Sequence, residues 1–234
     1  MTILLLETAT GICSTALERD GRIIAERHSD EPNAHSSKLA VFIDDLFKEA
    51  NLQPAEIDAV CVSSGPGSYT GLRIGASSAK GFCYALNKPL IAIPTLQNMA
   101  LLYYAQHPDY NGLVCPMIDA RRMECYTAIF SRNGQEKETA AEVIESGIYD
   151  QWLDKQQMAF IGDGAEKTRP VLSVHQNAIY DPDFRISSAG MAALAEEKLK
   201  NGETENVAYF EPFYLKDFVA KKSVVHGLYS KVES

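Results

Sequence analysis

The sequence lacks the features of a membrane or a secreted protein. Its N-terminal apolar run, Ile3 to Leu6, falls far short of the roughly 20 residues that a membrane-spanning helix needs. No basic segment precedes this run, so we expect that it is not a signal peptide. We therefore expect a cytoplasmic protein that does not contact a membrane.

Cysteine is scarce, and basic residues are outnumbered. The five cysteines form no C-x-x-C pair, and most lie in apolar stretches, so we expect buried, reduced thiols; they are Cys13, Cys61, Cys83, Cys115 and Cys125. The 234 residues carry 22 Lys and Arg against 31 Asp and Glu, a net charge of -9. This balance argues against a chain that binds nucleic acid alone, because phosphate binding needs a clustered basic face.

Common catalytic motifs are also missing. There is no G-x-x-x-x-G-K-[ST] phosphate loop and no H-E-x-x-H zinc motif. There is no G-x-S-x-G elbow either, because Ser68 follows Gly-Pro-Gly instead. The five histidines lack ligand spacing, so we expect no metal site; they are His28, His35, His107, His175 and His226. A protease activity is disfavoured.

What the sequence does contain is an internal repeat. ILLLETATGICSTAL near the N-terminus and VCPMIDARRMECYTAI from Val114 share one plan, and they align Glu7 with Asp119 and Cys13 with Cys125. Asx-Gly pairs at 20–21 and 133–134 then predict tight hairpins, each followed by a third strand.

Helix and strand patterns continue the repeat. In the first half they predict a helix through Leu39 to Ala50, a strand at Ile57–Val62, a helix at Tyr69–Leu86, a strand at Pro89–Ile93 and a helix capped by Thr95 and ending near Ala105. In the second half they predict a helix at Ala140–Leu153, strands at Met158–Ile161 and Asn177–Tyr180, and a helix from Ser187 or Ser188 to Lys200. The expected fold is α/β, a mixed sheet flanked by helices, formed twice, with domains 1–106 and 107–234.

Two acidic strand ends and two glycine turns suggest a cleft. Glu7 and Asp119 would face each other, and the turns with Gly65 and Gly67 and with Gly162 and Gly164 would open on the same side. Such a cleft has the groups to hold a nucleotide and magnesium. Alternatively, the acids cap loops and the glycines only make turns.

Three glycines lie in the helix predicted at Tyr69–Leu86. Gly71 and Gly75 are four residues apart, Ser78 and Ala79 continue their face, and Gly81 follows. Each glycine costs about 1 kcal/mol relative to alanine in a helix interior. Close approach of a partner helix would offset this cost, and tight packing on the protein's own sheet is the alternative.

Two basic features have open interpretations. Arg121 and Arg122 either reach a phosphate or a partner carboxylate or remain solvated. The tail after Lys216, which includes Lys221, Lys222 and Lys231, either contacts a nucleic acid or a protein partner or is a solvated tail.

The motifs GPGSYTGLRIG, ILLLETAT, DARRMECY and PFYL together resemble the TsaB family, also called YeaZ, over residues 2–216. This resemblance implies two RNase H-like domains with the actin-like ATPase (ASKHA) fold. It also implies a non-catalytic partner subunit in forming the threonylcarbamoyl group on N6 of adenosine 37 in tRNAs that read ANN codons. The expected partners are the metal-binding paralogue TsaD and the ATPase TsaE, with tRNA contacted only through the complex.

The resemblance places the partner surface on the helices at about Ser36–Ala50 and Tyr69–Leu86. The interface residues it implies are Leu39, Phe42, Ile43, Gly71, Gly75, Ser78 and Ala79. The catalytic paralogues carry two histidines four residues apart, whereas here Leu39 follows His35, which agrees with a chain that has no metal site and no catalytic residue. We expect no cofactor on this chain alone, ATP with magnesium as a candidate ligand within the assembly, and a homodimer when the partner is absent.

Two other functions stay open. One is an ATP-dependent phosphotransferase of the actin and sugar-kinase superfamily, using Glu7 and Asp119 around magnesium-ATP. The other is a homodimeric binding module that uses the same helical face on itself.

Overall fold

The computed structural model describes residues 1–216 and contains two five-stranded mixed sheets. The first sheet contains β1 (Thr2–Glu7), β2 (Cys13–Arg19), β3 (Arg22–Ser29), β4 (Ala59–Ser63) and β5 (Leu90–Ile93) in the order β3-β2-β1-β4-β5. The second contains β6 (Leu113–Asp119), β7 (Glu124–Ser131), β8 (Gly134–Val143), β9 (Met158–Ile161) and β10 (Ala178–Asp181) in the order β10-β9-β6-β7-β8. Each sheet is an antiparallel meander extended by two parallel strands, so the predicted repeat is confirmed.

Helices cover both faces of each sheet. They are α1 (Ala34–Glu49), α2 (Tyr69–Leu86), α3 (Thr95–Gln106), α4 (Asp150–Leu153), α5 (Ala165–Leu172) and α6 (Ala192–Lys200), with short 3₁₀ helices at Pro54–Glu56 and Ser188–Met191. Helices α1 and α2 pack on one face of the first sheet, and α4 and α5 pack on one face of the second.

The remaining two helices are exchanged between the sheets. Helix α3 follows the first sheet in the chain, yet its side chains pack into the core of the second sheet. Helix α6 follows the second sheet, yet Ala192 and Ala195 pack on the first sheet against Ile3 and Leu5. The two sheets are thus joined through their cores as well as by the chain, and the boundary at residues 106 and 107 stays a prediction.

The structure confirms most of the predicted elements and corrects two. The predicted helix at Ala140–Leu153 is wrong, because the chain continues β8 to Val143, where it pairs with Glu124, and is helical only in α4. Thr95 does not cap α3 through its side chain: its hydroxyl accepts a hydrogen bond from the Gly65 amide at 3.1 Å. Helix α5, which contains Pro170 and several charges, had no sequence prediction.

The five cysteines are free and buried, as expected. Burial raises the pKa of the Cys13 thiol to about 11 and that of the Cys115 thiol to about 12. These thiols therefore stay protonated at neutral pH and act as small apolar side chains. Within residues 1–216, no helix is both long and apolar enough to cross a membrane.

The glycine face of α2 packs inside the chain. A Cβ atom at Gly71 would lie 2.1 Å from the Thr8 carbonyl oxygen, and one at Gly75 would lie 2.2 Å from Thr8 Oγ1. Ala79 is also fully buried. The interpretation of this face as an external docking stripe is therefore wrong, since the close approach is to the β1–β2 turn. At the third glycine, Gly81, a Cβ would meet nothing within 4 Å.

These contacts give a matched pair of substitutions in one helix. We expect Gly75→Ala to lower the free energy of unfolding by about 1–3 kcal/mol, because the added methyl group forces Thr8 to move. We expect Gly81→Ala to raise it by up to about 1 kcal/mol, because helix propensity improves without a clash. Urea unfolding of the two variants measures both effects, and equal effects of the same sign would contradict the packing described.

Candidate functional site

A cleft of about 780 Å³ lies between the two halves. Its walls include the β1–β2 turn at Ala9–Gly11, the start of α2 at Gly67–Thr70, the β6–β7 turn at Asp119–Arg121 and the segment Tyr214–Lys216. The two turns and the start of α2 lie next to strand ends of the two sheets, which is where open α/β sheets bind ligands.

The first-half wall is held by close backbone contacts. Ser68 caps α2 by accepting a hydrogen bond from the Gly71 amide at 3.2 Å, and the Ser68 amide donates to the Ala9 carbonyl at 2.6 Å. A Cβ atom at Gly67 would lie 2.2 Å from that same carbonyl oxygen. Glycine is therefore required at position 67 so that the two turns can touch.

Glu7 does not line the cleft. Its carboxylate is fully buried and accepts hydrogen bonds from the Ala9 amide at 2.8 Å and from Asn98 Nδ2 of α3 at 2.7 Å. Burial raises the pKa of Glu7, although these hydrogen bonds oppose the shift. The prediction that Glu7 faces Asp119 across the cleft is wrong. Glu7 instead connects β1 to α3 through its hydrogen bond with Asn98.

Asp119 does lie in the cleft, and its charge is already compensated. The Lys167 ammonium contacts its Oδ1 atom, the Arg121 amide donates to the same oxygen at 2.8 Å, and its own amide donates to Asp163 at 3.0 Å. Desolvation raises the pKa of Asp119, but Lys167 and the Arg121 amide outweigh it and hold the pKa below the usual value. A magnesium ion at Asp119 would have to compete with Lys167.

The predicted turn glycines have separate roles. Gly67 lines the cleft, whereas Gly162, with φ of 99°, lines a neighbouring cavity of about 350 Å³. Gly164 packs against Cys125 and Ile118. Gly65, with φ of 106°, packs against the Phe213 carbonyl, 2.5 Å from where its Cβ would lie. Of the six residues predicted for a nucleotide cleft, Gly67 and Asp119 line this one, and nucleotide binding stays a prediction.

Arg121 and Arg122 make the β6–β7 turn in left-handed backbone conformations, with φ of 73° and 50°. Arg121 lines the cleft and both side chains are exposed. Arg121 therefore presents a positive charge at the cleft, and both interpretations of the pair stay predictions. The basic tail at Lys221, Lys222 and Lys231 lies outside the described residues.

His35 is half-buried and belongs to the cleft wall. Its Nε2 atom lies 3.3 Å from the Ile12 carbonyl oxygen, so α1 supports the β1–β2 turn. Burial lowers the pKa of His35. Across residues 1–216, no three His, Cys, Asp or Glu side chains lie close enough together to hold a metal ion.

Sequence reasoning did not assign Lys167, Asp163 or Lys216 to the cleft. Asp163 lies within the Gly-Asp-Gly turn that was noted only for its glycines. Lys167 lies one helical turn later on α5, an element that the sequence did not indicate. Lys216 reaches the cleft only through the path of the C-terminal segment.

Solved structures define the class of protein. The chain superimposes on the activator of the 2-hydroxyisocaproyl-CoA dehydratase from Clostridium difficile with a TM-score of 0.51, covering 88% of this chain and 99% of that one at 11% identity. At that identity the likeness concerns the fold alone. Together with the two like-ordered sheets, it makes this chain a duplicated α/β protein with two mixed five-stranded sheets.

More similar proteins define the family. YeaZ from Pseudomonas aeruginosa matches with a TM-score of 0.80 and 26% identity over 92% of this chain and 99% of that one. The tRNA threonylcarbamoyladenosine biosynthesis protein TsaB of Bacillus subtilis is 30% identical over 77% of this chain and 76% of its own length. Residues 29–224 match the family described as TsaD, tRNA N6-adenosine threonylcarbamoyltransferase. The chain belongs to the TsaB family, within this wider group of relatives.

The buried carboxyl of Glu7 gives a pH-dependent prediction. Its folded-state pKa lies above its unfolded value, so the folded state takes up a proton first as the pH falls. We expect the stability of the wild type relative to Glu7→Gln to increase as the pH is lowered from 7 through the raised pKa of Glu7.

The control for this prediction is Glu203→Gln. Lys198 and Asn201 lower the pKa of the exposed Glu203, so the wild type should lose stability relative to this variant as the pH falls toward and below that pKa. Urea unfolding across a pH series measures both differences. A Glu7 difference that does not change with pH would show that folding leaves the pKa of this carboxyl unshifted, and would contradict the effect of burial described here.

Proposed function

We propose that this chain is a non-catalytic subunit in the formation of threonylcarbamoyladenosine at position 37 of tRNAs that read ANN codons. In this proposal it binds and activates a TsaD-type transferase, and a TsaE-type ATPase joins the assembly. The observation that carries the proposal is the match to TsaB and YeaZ proteins, which extends over 92% of this chain for the solved YeaZ.

The chemistry of the cleft supports a non-catalytic role. Glu7 is used inside the core, and Asp119 is paired with Lys167. These two acids are the carboxylates that a phosphotransferase would direct at magnesium-ATP, and neither is free to do so in this arrangement. Any nucleotide in the assembly would then be held by the partner or by the surface between the subunits.

The partner surface needs a new set of residues on the same helices. Leu39, Ile43, Gly71, Gly75 and Ala79 are buried in this chain's own core, and Phe42 and Ser78 are half-buried. The outward side chains include Val41 on α1, which is 54% exposed, and Tyr84 on α2, which is 87% exposed. Gly81 lies three residues before Tyr84 with open space above it, so a partner backbone can approach closely there.

Activation by such a subunit is a population shift. A partner that binds the active conformation of the transferase more tightly than the inactive one increases the active fraction, and no catalytic group needs to be supplied. The net charge of -9 agrees with tRNA being bound mainly by other subunits.

The first test is the mass in solution by light scattering, for the chain alone and mixed with the TsaD-type paralogue of the same organism. We expect a homodimer alone and a one-to-one heterodimer in the mixture. No association, with or without ATP, would contradict the proposed partner role.

A matched pair of variants tests the surface. We expect Val41→Asp to weaken the heterodimer at least about tenfold, because it places a charge in a desolvated interface. Val174→Asp changes a valine that is 81% exposed in the second half and should leave affinity unchanged. Equal affinities of both variants would place the interface elsewhere.

The cleft that contains Asp119 supports a second candidate function, phosphotransfer. Its test is ATP turnover by the pure chain. We expect none above background; turnover that is lost in Asp119→Asn would favour the phosphotransferase.

A further inference from the structure

Residues 205–216, which we call the strap, run back across the first half after α6. The Glu205 amide donates to the Leu90 carbonyl of β5 at 2.8 Å, and the Phe213 amide donates to the Ser64 carbonyl at 2.7 Å. Between these points, the Lys80 ammonium of α2 donates to the Ala208 and Phe210 carbonyls at 3.1 and 3.0 Å. The strap is therefore attached to β5, to α2 and to the turn after β4.

The end of the strap crosses to the second half. The Tyr214 ring packs on Tyr69, the first residue of α2, with 4.9 Å between ring centroids. Two residues later, the Lys216 ammonium contacts the Glu124 carboxylate of β7 and lies 5.9 Å from the centre of the Tyr126 ring. Tyr214, Leu215 and Lys216 all line the cleft, so the strap spans it from one wall to the other.

This path also accounts for Gly65, one of the turn glycines that do not line the cleft. Its positive φ of 106° and its position beneath the Phe213 carbonyl leave room for the strap and for no side chain. The turn is thus shaped to receive the strap.

We propose that the strap is a latch that sets the separation of the two cleft walls and couples it to α2. The contacts suit a reversible latch. Lys216 and Glu124 are 40% and 26% exposed, and exposed ion pairs stabilise a contact only weakly. The two hydrogen bonds from Lys80 attach the strap to α2. The outward-facing residues Gly81 and Tyr84 come soon after Lys80 on the same helix. A displacement of the strap at α2 is then transmitted to Lys216 at the cleft. This inference requires no particular partner and does not depend on the proposed function.

The test reverses the charges of the Lys216–Glu124 ion pair, first one at a time and then together. Cysteines introduced at the exposed positions Ser36 on α1 and Glu166 on α5 accept spin labels, because the native cysteines are buried. Pulsed electron resonance then gives the distance between the halves. We expect Lys216→Glu and Glu124→Lys each to lengthen and broaden this distance, and the double exchange to restore it. Hydrogen exchange of the Phe213 amide should be about twofold to fivefold faster in each single variant, the range for loss of an exposed ion pair.

Coupling to α2 is tested by Lys80→Met, which removes the two hydrogen bonds from Lys80 but keeps the aliphatic chain. We expect the same broadening of the distance across the cleft, although Lys80 does not line it. The control Lys198→Met removes an equal charge and a local pair with Glu203, and should change nothing across the cleft.

Unchanged distances in both charge variants would overturn the latch. Broadening in these variants without any in Lys80→Met would overturn the coupling. Circular dichroism confirms that each variant is folded, and recovery in the double exchange separates the latch from general destabilisation.

Discussion

The close contact between α2 and the β1–β2 turn is the constraint on which this structure depends. Gly67, Gly71 and Gly75 bring the helix so near to Thr8 and Ala9 that no side chain fits between them. This contact fixes where α2 begins, and thereby the position of one cleft wall. Because the glycine face of α2 packs against the β1–β2 turn, another molecule can contact this helix on its outward side and not on its glycine face. The strap packs on a different turn, the one after β4, where the Phe213 amide donates to the Ser64 carbonyl.

The two strand-end acids, Glu7 and Asp119, have different surroundings on either side of this contact. Glu7 ends β1 just before the turn that α2 covers, and Asn98 of the exchanged helix α3 meets it inside the protein. Asp119, its counterpart in the repeat, stays at the surface and is neutralised by Lys167. Duplicated strand ends thus have different electrostatic surroundings: Glu7 is buried and hydrogen-bonded to Asn98, whereas Asp119 is exposed and paired with Lys167. The repeat in the fold is therefore not accompanied by a repeat in the surroundings of its acids.

Much of the fold could be predicted from the sequence because its signals are local. The hairpin turn pairs and the apolar stripe of α1 determine their elements within a few residues. The candidate site was harder to predict, since it depends on contacts between residues that are far apart in the sequence. A glycine stripe indicates close approach but not by what, so Gly71 and Gly75 were assigned to a partner when Thr8 was the neighbour. Glu7 could not be placed without Asn98, and Ala140–Val143 has helix-forming residues that tertiary pairing with β7 holds in a strand.

The exchanged helices have a consequence for how the chain is made. The first sheet is complete in sequence by Ile93, yet the face with Ile3 and Leu5 is covered only by residues near Ala192 and Ala195. During synthesis, that apolar face emerges from the ribosome about 100 residues before its cover, which at typical elongation rates is an interval of about 5–20 seconds. Duplication of an ancestral unit has therefore produced two repeats that cannot mature one after the other, and the nascent first half is the stage at which a chaperone has the most to protect.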